Sequence, residues 1–421
     1  MRSNRVLMIA YHYPPVMRSS GVHRAASFAR YLPEFGWEPT VLTVQPRAYE
    51  ECDPGFSQDL PGVTVKRAFA LDAARHLSVK GRYLKATAIP DRWLSWFFGA
   101  VPAGLALIRH QRPDVIWSTY PIATAHLIGH ALHKMTGIPW VADFRDPMTG
   151  DGVGYEQGTV THRVYEWIER RAMELSSRAV FVTPEACKTY REKFSQLPET
   201  HSAVVANGFD EEVFLSIEKD LSASKLGGPR NEGLVLVHSG ALYRCGRDPE
   251  AFFRALSSLR QAGRIGSGDL RVILRASGNE PYFQERIQAL QIEDIVRLAP
   301  AIPYREALAE ILLADGLLLF QGSTFNRQIP AKIYEYLRAR RPILAFADQE
   351  GDTAQFLRDS GVGAIASLED EGEIAGLLIQ FLGAVTAGDA QTASDSVIAS
   401  HSRKHRTLEL ARILESAIPS P

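Results

Sequence analysis

The sequence predicts an α/β protein of two domains, each built on a mostly parallel β-sheet with helices on both faces. Its 421 residues are too many for one ordinary hydrophobic core and suit two domains. Short apolar runs alternate with longer amphipathic stretches in both halves, as in α/β proteins. The Gly- and Ser-rich segment Ser222–Gly233 is typical of a surface linker. We therefore predict domains at residues 1–215 and 216–400, followed by a C-terminal helical segment at residues 401–421.

The predicted strands are short apolar runs. In the first half they are Val6–Ala10, Thr40–Val44, Val63–Lys66, Val115–Trp117, Trp140–Ala142, Ala179–Val182 and Ala203–Val205. In the second half they are Leu234–Val237, Val272–Leu274, Leu317–Phe320 and Ile343–Phe346. Amphipathic helices are predicted at Val22–Leu32, Ala123–Lys134 and Val164–Leu175, with a last helix at about Arg406–Ala417.

Composition excludes several classes of protein. The formal net charge of −1 gives no indication of a nucleic-acid partner. The cysteines Cys52, Cys187 and Cys245 are scattered and lack metal-ligand spacing, which is typical of a reducing compartment. The apolar run Val6–Ala10 is too short for a signal peptide. The sequence thus predicts a cytoplasmic protein.

The most apolar run of the chain, Trp93–Ile108, is where a membrane contact would be expected. It is shorter than the ~20 apolar residues that span a bilayer, and Pro102 interrupts it. We predict a buried helix here. The alternative is a membrane-facing surface around Trp93, Trp96 and Phe97, which would make the protein peripheral at the inner face of a membrane.

Ligands of parallel α/β sheets bind beyond the carboxyl ends of the strands, so the loops after the strands are the candidate sites. The loop after the first strand, Tyr11–Arg24, contains Gly21, where the backbone could approach an anion closely. His12, Tyr13 and Arg24 are candidate polar contacts to a phosphate or an acceptor. The alternative is an ordinary loop with satisfied histidines.

The loop after the strand Trp140–Ala142 carries three charged residues within four positions, Asp143, Arg145 and Asp146. Charges at a strand end are costly unless they are paired or used. In a structural interpretation, Asp143 and Arg145 form an ion pair that holds the loop. In a functional interpretation, Asp146 or Asp143 lies beside the hydroxyl of an acceptor.

The loop after the strand Leu234–Val237 suits a diphosphate. Ser239 and Gly240 can present backbone amides, and the arginines of this loop can neutralise phosphate charge. Arg247 is the preferred phosphate ligand because a helix is predicted to start directly after it. The alternative is a turn with solvated arginines.

The stretch Asn326–Phe346 is the most informative one in the chain. It follows a predicted strand and a polar turn that contains Ser323 and Thr324. The helix within it carries Lys332 and Glu335 three residues apart on one face. Lys332 and the helix N-terminus could hold a diphosphate, while Glu335 could accept hydrogen bonds from a ribose. The alternative is a surface helix with an ordinary Lys–Glu pair.

Several motifs occur along the chain in a particular order. In the first half they are Tyr-x-Tyr-Pro-Pro at 11–15, Gly21, and the stretches 31–43, 113–116, 137–147 and 206–210. In the second half they are the stretches 239–243 and 329–336. In this order and spacing they resemble the retaining glycosyltransferases of family 4, of the exopolysaccharide and lipopolysaccharide type. That family has the GT-B fold of two facing Rossmann-like domains, with a final helix that crosses back onto the N-terminal domain.

The resemblance implies a C-terminal domain that binds a nucleoside-diphosphate sugar and an N-terminal domain that binds a saccharide or lipid-linked acceptor. It implies that Glu335 contacts the ribose, that Arg247 and Lys332 lie near the diphosphate, and that Gly21 comes close to the donor phosphates. The base would lie against Leu298–Tyr304. No cofactor or metal is expected, because no Asp and His cluster appears and the cations could replace a metal.

The retaining mechanism attributed to this family uses the departing diphosphate itself to deprotonate the acceptor. Asp146 and His12 would then orient substrates rather than act as a dedicated base. The arginine and the lysine near the diphosphate would stabilise the charge that grows on it as the sugar leaves.

One position departs from the family pattern. Many members carry a glutamate eight positions before the ribose-binding one, and it contacts the sugar; here Arg327 stands there, followed by Gln328. Contact with the sugar is therefore expected from the turn 323–328, and the pattern does not identify the donor sugar. Two alternatives remain, a non-hydrolysing sugar-nucleotide epimerase of the same fold and a catalytically inert nucleotide-sugar-binding homologue. The apolar segment Pro90–Ile108 and the basic loop Tyr13–Arg24 resemble acceptor features, which favours a transferase over the epimerase. The cationic set around Lys332 weighs against the inert homologue.

Overall fold

The computed structural model describes residues 3–16, 20–52, 62–80, 82–149, 156–223 and 233–419. Contacts within the chain divide it into two compact units. The first comprises Met1–Asn207 and Arg403–Pro421, and the second comprises Gly208–Ser402. Each unit contains one parallel sheet with helices between its strands, which confirms the predicted two-domain α/β architecture.

The sheet of the first unit is parallel throughout. Its strands are β1 (Asn4–Ile9), β2 (Trp37–Val44), β3 (Thr64–Ala68), β4 (Val115–Thr119), β5 (Trp140–Arg145), β6 (Arg178–Phe181) and β7 (Ser202–Val204). They lie in the order β3-β2-β1-β4-β5-β6-β7. The helices before residue 207 are α1 (Ser20–Tyr31), α2 (Ala73–His76), α3 (Ser95–Gln111), α4 (Ala123–Thr136), α5 (Val160–Leu175) and α6 (Pro184–Lys193).

Strand β1 explains why this sheet is covered on both faces. Its side chains alternate between two buried clusters, with Leu7 and Ile9 in one and Val6 and Met8 in the other. A strand that is apolar on both sides must be covered on both sides, as in sheets built from parallel strands and crossover helices. The order of the strands reverses between β1 and β4, so the carboxyl ends of these two central strands form a topological switch point.

The second unit repeats this plan. Its strands are β8 (Leu234–Ser239), β9 (Leu270–Arg275), β10 (Val296–Ala299), β11 (Gly316–Gln321), β12 (Ile343–Ala347) and β13 (Ile365–Ala366), in the parallel order β10-β9-β8-β11-β12-β13. Its helices are α7 (Glu211–Ala223), α8 (Glu250–Gln261), α9 (Glu280–Ala289), α10 (Tyr304–Leu313), α11 (Lys332–Arg338), α12 (Asp352–Asp359), α13 (Glu371–Ala387) and α14 (Asp395–Ser400). The order reverses between β8 and β11, which places the loops after these two strands at the switch point.

The last helix, α15 (Arg403–Ala417), belongs to the first unit. Leu410 and Leu414 lie in the same buried cluster as Phe28 of α1, and Arg178 donates to the carbonyl oxygen of Ser416 at 3.0 Å. The C-terminal helix that returns to the first domain is thus confirmed. The predicted boundary between residues 215 and 216 falls inside α7, whereas the contacts divide the chain after Asn207. The predicted linker at 222–233 lies mostly outside the described residues.

The apolar run Trp93–Ile108 forms most of α3. Trp96 is fully buried, so it cannot belong to a membrane-facing surface, and Trp93 and Phe97 are half-buried. Within the described ranges, no helix combines the length and the apolar character needed to cross a membrane.

Candidate functional site

At the switch point of the second unit, Lys332 contacts a buried histidine. Its Nζ lies 3.2 Å from Nε2 of His238, the fifth residue of β8. The other ring nitrogen of His238 lies 2.9 Å from the carbonyl oxygen of Leu318 on β11. A carbonyl can only accept, so Nδ1 carries the proton and Nε2 accepts a hydrogen bond from the ammonium group. Burial holds the pKa of His238 well below its usual range, and the cation of Lys332 lowers it further.

Lys332 is itself unusual. Burial lowers the pKa of its ammonium group to about 7, the cation of Arg247 adds to the decrease, and the carboxylate of Glu335 opposes it. The backbone of Gly240 passes close by: a Cβ at this position would lie 2.8 Å from Nζ, and its φ is +114°. A half-buried cation that loses its proton near neutrality is poised to gain one when an anion binds.

Arg247 is fixed without a carboxylate. Its Nε donates to Oε1 of Gln321 at 2.8 Å. Its guanidinium carbon lies 4.7 Å from the ring centre of Phe325 and 5.4 Å from that of Tyr243. The amide of Gln321 is in turn held by the carbonyl oxygens of Phe325 and Gln328, both at 3.3 Å. Stacking on two rings leaves the guanidinium oriented but not neutralised, and burial lowers its pKa.

Glu335 lies one helical turn after Lys332 on α11 and accepts a hydrogen bond from the hydroxyl of Tyr304 at 2.6 Å. The predicted roles of Ser239 and Gly240 need correction. The amide of Ser239 donates to the hydroxyl oxygen of Tyr336 at 2.9 Å, and the amide of Gly240 donates to the carbonyl oxygen of Arg275 at 2.8 Å. Both amides therefore already have partners within the unit. Gly240 matters instead because it has no side chain and so leaves room for the ammonium group of Lys332.

The polar turn after β11 packs on the loop after β8. Ser323, Thr324 and Phe325 form one 3₁₀ turn, and the amide of Gly322 donates to the carbonyl oxygen of Gly246 at 2.7 Å. The side chains of Ser323, Thr324 and Arg327 are exposed. The second unit therefore brings its predicted donor-binding residues together on two adjoining loops and α11.

In the first unit, Arg24 and Asp143 form a buried ion pair. The guanidinium of Arg24 donates from Nε and Nη2 to the two carboxylate oxygens of Asp143, at 2.9 and 3.0 Å. Arg24 also donates to the carbonyl oxygen of Ala206 at 3.2 Å, and Asp143 also accepts from the hydroxyl of Thr119 at 3.1 Å. The side chain of Arg24 is 4% exposed and that of Asp143 is 0% exposed. In this structure neither is accessible to an acceptor, contrary to our prediction, and they join α1 to β5.

Arg145 and Asp146 follow at the end of β5. Arg145 has a left-handed backbone with φ of +61° at a shift in the β5–β6 register, and its Nη1 donates to the carbonyl oxygen of Tyr120 at 3.3 Å. Burial raises the pKa of the Asp146 carboxyl. The cations of Arg145 and Arg24 oppose this increase, and the negative charge of Asp143 adds to it. A left-handed arginine beside a carboxyl with a raised pKa is typical of functional sites. Asp146 is half-buried and Arg145 is buried.

The loop of Asp146 is tied to the helices beside it. The amide of Met148 donates to the hydroxyl oxygen of Tyr190 at 2.8 Å, and the hydroxyl of Thr149 donates to the buried carboxylate of Glu169 at 2.9 Å. Tyr190 and Lys193 also bond Glu169. These contacts with α5 and α6 fix the backbone that carries Asp146.

The three remaining predicted residues of this unit differ in environment. His12 is half-buried, burial lowers its pKa to about 4, and its Nδ1 has no hydrogen-bond partner among the residues that the structure describes. A buried ring nitrogen of this kind suits contact with a substrate hydroxyl. Tyr13, by contrast, is 2% exposed and belongs to the core, so its predicted contact with an acceptor is not seen. Gly21 is a buried residue of the first turn of α1.

Comparison with known protein families identifies one of these units. Residues 20–208 match the family model of the glycosyl transferase 4-like domain. This part of the chain is similar to glycosyl transferase 4-like domains. The match spans the loops of Arg24 and Asp146, and it confirms the resemblance that the sequence motifs indicated. No curated relative matches the sequence.

Solved structures extend the likeness beyond the glycosyl transferase 4-like domain to the whole chain. Sucrose-phosphate synthase from Thermosynechococcus elongatus superposes with a TM-score of 0.69 at 13% identity, covering 98% of both chains. Anabaena HepE in complex with UDP gives 0.66 at 13% identity, covering 98% of this chain and 100% of that one. The lipopolysaccharide outer core galactosyltransferase WaaB in its apo form gives 0.58 at 12% identity, covering 98% and 99%. These similarities confirm the predicted GT-B fold.

Some residues of the site escaped sequence reasoning. His238 is the last residue but one of β8 and Gln321 is the last residue of β11. A buried polar residue near the end of an apolar strand is the signal that could have identified them. Tyr304 opens α10 and gives no comparable signal, because its contact with Glu335 spans 31 positions. Among the described residues, no group of three or more His, Cys, Asp or Glu side chains could hold a metal ion.

Gly240→Ala is expected to weaken nucleotide-sugar binding by roughly tenfold or more, the loss of one charge-assisted hydrogen bond. The added Cβ would stand 2.8 Å from Nζ of Lys332 and displace it. Gly361→Ala is the matched control, since Gly361 has φ of +81° but nothing within 4 Å of an added Cβ. Thermal unfolding should show backbone strain in both variants, while calorimetry should show weaker binding only for Gly240→Ala. Equal binding by the two variants would contradict the close approach.

Proposed function

We propose that the protein transfers a sugar from a nucleoside-diphosphate sugar to a hydroxyl group of a saccharide or lipid-linked acceptor, with retention of anomeric configuration. The observation that carries the proposal is the pair of cations, Lys332 and Arg247, at the switch point of the second sheet. Among the described residues, no carboxylate lies within ion-pair distance of either. Two neighbouring cations repel each other, so keeping both half-buried is favourable only where an anion joins them.

The donor would bind in the second unit. Its diphosphate would lie between Lys332 and Arg247, and Glu335, oriented by Tyr304, would accept from the ribose hydroxyls. The base would lie against residues 298–304, and the turn 323–328 would face the sugar with Ser323, Thr324 and Arg327. UDP as the nucleotide is supported by the structural likeness to Anabaena HepE, which is solved with UDP and with UDP-glucose.

In the reaction, the bond between the anomeric carbon and the diphosphate oxygen breaks, and both electrons stay on the oxygen. Lys332 and Arg247 stabilise the charge that develops there. The acceptor oxygen bonds to the anomeric carbon on the same face, and its proton passes to the departing diphosphate. The products are the glycoside and the nucleoside diphosphate. The cations supply the positive charge, so we expect catalysis without a metal.

The acceptor would bind in the glycosyl transferase 4-like domain. Asp146 and His12 would orient the acceptor hydroxyl, because both are half-buried polar groups beyond the carboxyl ends of strands. His12 is neutral at pH 7 because burial lowers its pKa to about 4. Such a histidine can accept a hydrogen bond from the hydroxyl without binding the proton.

The test is a panel of nucleotides and nucleotide sugars, measured by thermal shift and by nucleotide release. The right nucleotide at a hundredfold excess over its dissociation constant should stabilise the protein by about 2.7 kcal/mol. Glu335→Ala should reduce this stabilisation, whereas the control Glu306→Ala, an exposed residue of α10, should not. Release should persist in EDTA. Stabilisation by no nucleotide, or conversion of the donor to an epimer without an acceptor, would overturn the proposal.

A further inference from the structure

The segment between β3 and α3, together with the start of α3, carries an unusual number of outward-facing apolar side chains. Thirteen large hydrophobic residues are exposed among those described, and six of them lie within residues 69–98. They are Phe69, Leu77, Val79, Tyr83, Leu84 and Phe98. Val79 and Leu84 are 75% and 76% exposed. Exposed apolar side chains that are this frequent in one stretch of chain are typical of an interaction surface.

These side chains stand on a well-supported loop. The hydroxyl of Ser95 accepts from the amide of Leu71 at 2.7 Å and donates to its carbonyl oxygen at 2.9 Å, which closes the base of the loop. Val79 and Arg82 exchange two backbone hydrogen bonds, at 2.8 and 3.1 Å. These bonds fix the backbone that carries the exposed apolar side chains.

The charges on this loop all have one sign. Between residues 73 and 90 the ionisable side chains are Arg75, His76, Lys80, Arg82, Tyr83 and Lys85, all of them exposed, and the sequence has no Asp or Glu there. The flanking carboxylates are buried and used: Asp72 caps α2 and pairs with Arg92, and Asp91 accepts from Thr124. The exposed charge of the loop is thus positive in a chain whose net charge is −1.

We propose that residues 75–80 and 82–85, the basic apolar loop, dock the protein onto an anionic lipid membrane. Val79 and Leu84 would enter the interfacial layer, and Lys80, Arg82 and Lys85 would meet the phosphates of the headgroups. The positive charge of the loop favours anionic lipid as its partner. A second copy of the chain would bring a second positive loop and repel the first, whereas anionic lipid offers both negative charge and an apolar layer. The proposal is independent of the donor site in the second unit.

The test is co-sedimentation of the full chain with vesicles of phosphatidylcholine, with and without phosphatidylglycerol. We expect binding only to the vesicles that contain phosphatidylglycerol, and weaker binding as salt is added. Val79→Ser with Leu84→Ser, and separately Lys80→Glu with Lys85→Glu, should each reduce the bound fraction at least about tenfold. The matched control is Met135→Ser with Val160→Ser, since these two residues are 62% and 64% exposed elsewhere in the first unit.

The substituted side chains are exposed, so each variant is expected to fold, and its thermal unfolding checks that it does. Equal binding to both kinds of vesicle, or equal loss in the control variant, would overturn the proposal. So would a change of oligomeric state in the Val79→Ser and Leu84→Ser variant by light scattering, which would make the loop an interface between copies. Binding of the chain to single-stranded RNA that the same substitutions abolish would also overturn it.

Discussion

Lys332→Met is expected to weaken binding of the donor nucleotide sugar roughly ten- to a hundredfold, the value of one charge-assisted hydrogen bond to a phosphate. The loss should be largest near pH 6 and shrink as the pH rises. The reason is that the wild-type ammonium group has a pKa of about 7 in the free protein. Below that pH the cation is already present, and above it the site must take up a proton when the diphosphate binds.

The sign of this linkage follows from the charges around Lys332. An anion beside the ammonium group raises its pKa, so affinity falls as the pH rises above 7, by up to tenfold per unit. His238, which faces Lys332 from β8, stays neutral throughout because its pKa is already well below its usual range. Arg247 stays charged, and the carboxylate of Glu335 opposes the decrease in the pKa of Lys332. Lys332 is therefore the group expected to titrate.

Calorimetry of donor binding between pH 6 and 9 checks this expectation. Lys332→Arg, which keeps its charge at every pH used, should bind with little pH dependence. Lys219→Met, at an exposed position of α7, is the control and should keep the wild-type profile. A Lys332→Met protein with the affinity and pH profile of the wild type would show that the diphosphate does not bind at this site.

Arg247→Ala should reduce turnover roughly 10²- to 10³-fold, because it removes a group that stabilises the charge developing on the diphosphate.

The sequence predicted the fold well because the determinants of the fold are local. Apolar runs such as Leu317–Phe320 become buried strands wherever a sheet is covered on both faces, and the structure extends this one by a residue at each end. The loops after such strands could be chosen as site candidates from topology alone. Lys332 and Arg247 were predicted in this way, as residues that follow two different strands.

The pairing of polar side chains could not be predicted in the same way. Asp143 lies two positions from Arg145 in the sequence, yet its bidentate partner is Arg24, 119 positions away. Ser239 was expected to offer its amide to a phosphate, but the hydroxyl of Tyr336 takes it across 97 positions. Such contacts depend on where the crossovers place each element, which no local pattern encodes.

Replacing either partner of the Arg24–Asp143 pair is expected to lower the free energy of unfolding by about 3–5 kcal/mol. Both side chains are buried, so Arg24→Ala leaves a carboxylate without its cation, and Asp143→Ala leaves a guanidinium without its anion. The exposed pair of Arg5 and Glu38 in the same unit is the control. Glu38→Ala should cost less than about 1 kcal/mol, because water already solvates its charge. Urea unfolding of the three variants measures these differences.

A double variant separates a structural role of this pair from a role in acceptor binding. Arg24→Met with Asp143→Leu removes both charges at similar volume, and a buried ion pair replaced in this way often keeps its stability. We expect the double variant to be more stable than either single variant, and to keep its affinity for the acceptor because neither side chain is accessible. A stable double variant that has lost acceptor binding would mean that the pair opens to meet the acceptor. Such a result would restore Arg24 and Asp143 to the acceptor site that the sequence predicted.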